Sequence, residues 1–454
     1  MQRKFFLTLT IILSAMMFST AAAAQQKFTV SLHGRQEVPA NNSSGSGNCM
    51  VTLSTTETQI TVECTYRNLS SNVVGAHIHD NGPVGVNGPI RFNLNYTGGT
   101  SGTIGPVTFS TTPAQIADLR SNKWYVNIHT SNFTGGEIRG QVKRANLSAD
   151  YDGDGRTDVI IFRQSAQTLY VLNSLDNSIS GYGLGTGDFD IFINNGGDFD
   201  GDGRADPALL KYNEDRSQMY WVILQSATNS LRVEQWGSGT NTVGDAIQPS
   251  DYDGDGKMDI AVFRRSTGIW YIKESSTGNT RTVTNFGGPD FLDNPAVGDY
   301  DGDGKADLCI TRAESGPNGP KSWYIQNSST GQVQRIEWGR GAGDGVFFFF
   351  PMDFDGDGKQ DIYVLRNVNG QIVHFVRRSS DGQMYTLPWG APPVNPQYGD
   401  YDGDGKTDPA FRQTIPVGNN GTTRWHIFQS ATQTHRTVDF GERLGTQGLS
   451  CCDQ

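Results

Sequence analysis

Aspartate recurs at alternate positions in the nine-residue stretch Asp251–Asp259, which reads DYDGDGKMD. Numbering from Asp251, the acids Asp251, Asp253, Asp255 and Asp259 stand at positions 1, 3, 5 and 9. A tight loop can turn these four carboxylates toward one centre. Gly254 and Gly256 give the backbone the freedom such a loop needs, and the carbonyl of Lys257 at position 7 adds a neutral oxygen. Four carboxylates and a carbonyl make a flexible, all-oxygen site that suits calcium better than magnesium or zinc.

The stretch occurs six times. The other copies supply Asp150, Asp152, Asp154, Arg156 and Asp158; Asp198, Asp200, Asp202, Arg204 and Asp206; and Asp299, Asp301, Asp303, Lys305 and Asp307. Two more give Asp353, Asp355, Asp357, Lys359 and Asp361, then Asp400, Asp402, Asp404, Lys406 and Asp408. An EF-hand would need a bidentate Glu at position 12 and a helix on each side. Position 12 is instead Ile161, Leu209, Val262, Ile310, Val364 and Phe411, each in a strand-like segment. Four acids in each of six loops make 24 of the 47 acidic residues, and the net charge is −11. Like charges packed this closely repel unless a cation neutralises them. Six calcium ions would nearly balance the chain, so about six are expected.

The loops begin 48, 53, 48, 54 and 47 residues apart, a period that signals a repeat architecture. Each unit reads as a short strand entering the loop and a strand leaving it (DIAVFR). An aromatic strand ending in a Ser-rich turn follows (WYIKESSTG), then a last strand ending in Gly (TNFG). Four short antiparallel strands per unit of about fifty residues describe a β-propeller blade. Residues 146–454 resemble the FG-GAP/VCBS-type calcium-loop repeats, of which the integrin α-subunit head is a relative. The resemblance implies a propeller with the Asp loop between the first and second strands of each blade. Six motifs give six blades, with seven as the alternative, and GLSCCDQ at 448–454 reads as a closing strand. Trp221, Trp270, Trp323 and Trp425 recur at one place in the unit and read as core between blades.

Residues 25–145 lack the repeat. Alternating runs such as KFTVSLHG, QITVECTY and WYVNIHT, broken by Gly/Asn/Ser clusters, read as an antiparallel β-sandwich or barrel; only 113–122 reads as a helix. The whole chain is thus expected to be all-β. AHIHDNGPVGVNGPIRFNL (76–94) and WYVNIHTSNFTGGEIRGQV (124–142) together resemble the CHRD domain, which implies a β-rich fold. His77 and His79 are two apart on one strand and so share a face. His129 and Glu137 can approach from a neighbouring hairpin, and a third imidazole would complete the start of a copper or zinc site. The competing reading has these histidines bonded to Asp80, Glu137 and backbone. Glu137 and Arg139 read as an ion pair.

Arg3 and Lys4, an apolar run over 5–18 and small residues before Gln25 read as a secretory signal peptide, 1–24. The apolar run is short for a bilayer span, so a secreted, periplasmic or cell-surface location without a membrane span is expected. Cys49 and Cys64 lie on two strand-like runs joined by a polar link and are expected to form a disulfide. Cys309 reads as a buried thiol, and the pairing of Cys451 and Cys452 stays open. An acidic chain with an isoelectric point near 5.1 offers no basic face to a nucleic acid. No nucleophile elbow, zinc-protease motif or phosphate loop is present. The expectation is an exported, calcium-stabilised binding or adhesion protein with an extracellular protein or glycan as ligand. A propeller lectin and a copper- or zinc-dependent enzyme built on the histidines are the alternatives.

Overall fold

The computed structural model describes residues 26–443, apart from 55, 84, 121, 145–148, 164–165, 185–190, 194–195, 240–243, 289–292, 317, 342–343, 346–351, 392–394 and 418–419. The signal-peptide and closing-strand expectations, and Cys451 and Cys452, lie outside these residues.

The N-terminal unit is built from β1 (Gln26–His33), β2 (Ser46–Leu53), β3 (Gln59–Arg67), β4 (Val73–His79), β5 (Ile90–Asn93), β6 (Gly102–Ser110), β7 (Tyr125–Thr130), β8 (Ile138–Gln141) and β9 (Lys143–Arg144). Helix α1 covers Pro113–Arg120. The strands form one antiparallel sheet in the order β5-β4-β7-β8-β1-β2-β3-β6, with β9 on β1, and it curls into a nearly closed barrel. Alternation sets its inside. On β4 and β7, Ala76, Ile78, Val126 and Ile128 join a core with Phe28, Val30, Leu32 and Trp124. Their neighbours His77, His79, Asn127 and His129 therefore point outward. Cys49 and Cys64 face each other in the β2–β3 register and are disulfide-bonded.

The C-terminal region is six small antiparallel sheets. Five have four strands, and the first shows three among the described residues. In the five four-stranded sheets a short inner strand precedes the Asp loop and three longer strands follow it, as expected; in the first, the three described strands all follow the loop. The aromatic strand of the repeat is the third of its sheet. Its Trp221, Trp270, Trp323 and Trp425 are at most 1% exposed, so they are core. Cys309 is fully buried, and burial pushes its thiol well above the usual value.

A cycle of backbone hydrogen bonds joins the sheets into a ring. The position-1 carbonyl of each loop accepts the N–H of the position-8 residue of the next loop. Ala205 donates to Asp150, Met258 to Asp198, Ala306 to Asp251, Gln360 to Asp299 and Thr407 to Asp353, at 2.6–2.8 Å. The cycle closes when Thr157 in the first loop donates to Asp400 in the sixth at 2.7 Å. Tyr401, Ala410 and Trp425 of the last blade pack in one core with Tyr151 and Phe162 of the first. Six blades complete the propeller.

Candidate metal centres

Each Asp loop is held by its own donors. In the third, the Asp251 carboxylate accepts the N–H of Gly254 at 2.6 Å and of Gly256 at 2.8 Å. Asp253 accepts from the N–H of Asp255. The two oxygens of Asp259 accept the N–H of Tyr252 and of Ser275 at 2.8 and 2.6 Å. The same pattern repeats in the other loops, for example Asp400 with Gly403 and Gly405. Gly201 at position 4 adopts φ +85°, and a Cβ there would lie 2.7 Å from Lys257 of the following loop. The glycine thus serves both the turn and the seam between loops.

Sequence reading missed a partner in every loop: the first serine of the turn after the aromatic strand. Ser174, Ser226, Ser275, Ser328, Ser379 and Ser430 each donate their N–H to the position-9 aspartate at 2.6–2.7 Å and their hydroxyl to the position-5 aspartate at 2.7–2.9 Å. The recurrence of Ser at that place was the available signal. The serine ties the third strand to the loop that precedes the second.

Ligand-capable carboxylates do converge. Asp150, Asp152 and Asp158 offer oxygens within 4.8 Å of one another, as do Asp198, Asp200 and Asp206. In the third and fourth loops the converging sets are Asp251, Asp253 and Asp255, and Asp299, Asp301 and Asp303. Burial, reinforced in most loops by the adjacent carboxylates, raises at least one acid of every loop above the ordinary aspartate range. Asp152, Asp251, Asp299 and Asp408 are pushed up to about 8. Asp206, Asp307 and Asp361 rise to about 7 and Asp259 to about 6. Without a cation, then, these loops resist full ionisation at neutral pH. An all-oxygen donor set that resists its own charge fits a hard divalent cation.

The first two loops differ. The guanidiniums of Arg156 and Arg204 at position 7 reach the position-5 acids Asp154 and Asp202, each at 2.5 Å. Lys143, from β9 of the N-terminal barrel, forms a buried ion pair with Asp150. The barrel docks on the loop face of the ring. Gln36 Nε2 donates to the carbonyl of Gly153 at 3.1 Å, Asn48 Nδ2 to that of Asp202 at 2.7 Å, and Asn122 Nδ2 to Asp400 Oδ2 at 3.1 Å. Loops one, two and six are therefore covered. A cleft of about 300 Å³ remains beside this seam, lined by Arg35, Glu37, Arg139, Gln141 and Arg156 among others. Burial raises Glu37 to about 8 there.

His77, His79 and His129 meet on the outer face of the barrel, each offering one nitrogen within 4.8 Å of the others. Burial first, then the His129 and His79 rings, holds His77 down at about 4, and burial lowers His79. Glu137 does not join them. Its carboxylate accepts from Ser43 Oγ, the Ser70 N–H and Thr130 Oγ1 at 2.5–2.6 Å. The expected Glu137–Arg139 pair is likewise not formed. Arg139 donates to Asn87 Oδ1 and the Val86 carbonyl and lies 3.6 Å over the Tyr125 ring. Both side chains are fixed by loops far away in sequence, which a local reading of GEIRG does not reveal. Asp80 is engaged by Arg91 at 2.5 Å, not by a histidine.

Fold and loops together define an all-β protein in which a barrel caps the loop face of a six-bladed propeller. The chain carries a CHRD domain over residues 28–142 and FG-GAP-like repeats over 198–262, 251–310 and 353–409. The first loop, Asp150–Asp158, precedes the matched repeats yet keeps their hydrogen-bond pattern. No curated protein matches the chain. Similar solved structures include the Dos1 propeller at 10% identity, covering 71% of this chain and 79% of that one, with a TM-score of 0.32. The β-propeller domain of the Trilobed protease from Pyrococcus furiosus matches at 9% identity, 70% and 91% coverage and TM-score 0.31. A putative 6-phosphogluconolactonase from Bacteroides fragilis matches at 12% identity, 72% and 92% coverage and TM-score 0.32.

Proposed function

We propose that this chain is an exported, calcium-stabilised binding protein that engages an extracellular protein or glycan. The observation that carries the reading is the sixfold recurrence of a carboxylate loop in which burial raises at least one acid. A feature used once in every blade serves the scaffold. Calcium in each loop would pin the strands on either side of it, and a cation bound only to the folded state stabilises it by mass action. The ligand would then meet surfaces that these loops hold rigid. The lectin alternative loses its main support, because the blade tryptophans are sealed in the core and offer no stacking platform to a sugar.

Elemental analysis of the full chain, dialysed against millimolar calcium and then metal-free buffer, tests the metal. About six calcium ions per chain are expected, and none at all would overturn the reading. Capture of partners from an extracellular extract by calcium-loaded and by chelated protein tests the binding role. A partner held only by the loaded form supports it, and identical capture by both forms contradicts it.

A further inference from the structure

The histidine cluster has a different chemistry from the Asp loops and is built entirely from strands of the barrel. β4 and β7 pair with His77 opposite Asn127 and Gly75 opposite His129, so all three rings rise from one face of adjacent strands. Gly75 lies between two of the rings: a Cβ there would be in ordinary van der Waals contact with His77 Cε1 at 3.4 Å and His129 Cδ2 at 3.6 Å.

Hydrogen bonding sets the tautomers. His79 Nδ1 lies 2.9 Å from the Gly88 carbonyl, and His129 Nδ1 lies 2.9 Å from the Thr134 carbonyl. A carbonyl only accepts, so both rings carry their proton on Nδ1 and present a lone pair at Nε2. His79 Nε2 is buried with no hydrogen-bond partner, which is costly for a polar atom. His129 Nε2 faces His77 Nδ1 at 3.1 Å. His79 is also fixed in plane, stacked on Tyr125 at 4.4 Å and 9°. Imidazoles that donate one nitrogen to a carbonyl and aim the other at a common point have the outer-shell arrangement of metal ligands.

We propose that His77, His79 and His129 form a mononuclear site for a transition-metal ion, copper(II) or zinc(II), with one coordination position left open. Imidazole nitrogens select these metals over calcium. Two nitrogens 3.1 Å apart, each at the usual ~2.0–2.1 Å from a metal, subtend about 100° at it, which lies between square-planar and tetrahedral geometry. The nearby carboxylates are engaged elsewhere: Asp80 by Arg91, Glu37 by Asn127 and Glu137 by serine and threonine. None of these supplies the fourth ligand. His77 and His129 are only partly buried, so the open position faces solvent.

The test uses the full chain in excess calcium, titrated separately with copper(II) and zinc(II) and followed by calorimetry and, for copper, by electron paramagnetic resonance. One equivalent of at least one metal is expected, with copper the tighter by natural affinity order, and nitrogen hyperfine structure in the copper spectrum. His79→Ala and, as a milder change, His129→Gln should each weaken binding at least tenfold while near-ultraviolet dichroism and calcium content stay unchanged. His426→Ala is the control: it removes the other close histidine pair, His426 Nδ1 to His435 Nε2 at 3.2 Å. It should leave binding intact. The proposal is overturned if the wild type takes up neither metal stoichiometrically, if His79→Ala and His129→Gln bind as the wild type does, or if His426→Ala abolishes binding. Calcium content is read independently, so failure here leaves the reading of the Asp loops untouched.

Discussion

Removing calcium should make the fold sensitive to pH in a direction set by the loops. In the metal-free protein Asp251 and Asp299 titrate at about 8 instead of 3.8. Because the folded values are raised, the metal-free fold binds more protons than the unfolded chain between about pH 4 and 8. The stability these acids contribute is full below 3.8 and is lost as pH rises through the folded values. A carboxyl moved from 3.8 to about 8 represents ~6 kcal/mol at ~1.4 kcal/mol per tenfold change in proton affinity. Loop relaxation and water entry reduce this. If only about a fifth survives per loop, the four loops that hold an acid at about 8 still lose ~5 kcal/mol, comparable with the ~5–15 kcal/mol of a whole domain. Melting followed by tryptophan fluorescence in a calcium chelator should therefore give a lower midpoint at about pH 8 than at about pH 5.5. Millimolar calcium should abolish the fall, so that its stabilising effect widens with pH. A chelated midpoint that is flat or rises toward pH 8, or no gain from calcium at pH 8, would refute the reasoning.

Other perturbations test single contacts. Lys143→Met leaves Asp150 buried without its ammonium partner, and breaking such a pair costs ~3–5 kcal/mol; in urea titrations the loss should shrink when calcium is present, and equal losses with and without calcium would contradict a cation site at that loop. Ser328→Ala removes the 2.7 Å hydroxyl bond to Asp303 while keeping the backbone donor to Asp307. A drop of ~1.5–3 kcal/mol is expected for a hydrogen bond to a charged group, and a neutral result would deny the serine its role. Reducing Cys49–Cys64, which closes a segment with a sequence separation of 15, should cost ~3 kcal/mol. Mass spectrometry after alkylation should find the two thiols blocked before reduction and free afterwards.

The repeat made the propeller legible. Its period, the alternation after each loop and the spacing of the acids all belong to short segments, and local geometry follows from local sequence. The four-strand unit, the buried tryptophans and the barrel's alternation needed no long-range information. Pairing the two cysteines was readable because both lay on strand-like runs joined by a short link. Glu137 and Arg139, two residues apart, were misread as partners, since each is captured by a loop from elsewhere in the chain.

Sequence by itself determined the loops: four carboxylates and two glycines in nine residues leave few conformations that avoid mutual repulsion. Tertiary structure alone decided how many blades close the ring. The Thr157–Asp400 bond joins residues at opposite ends of the propeller, and ring closure depends on the summed rotation of all six sheets. It alone placed the serines against the acids, because each reaches its loop across a strand pairing. It alone set the barrel on the loop face with Lys143 at Asp150. Finally, the strand pattern put His77 and His79 on one face, but only the β4–β7 register brought His129 to them, because a shift of one residue would have turned its ring into the core.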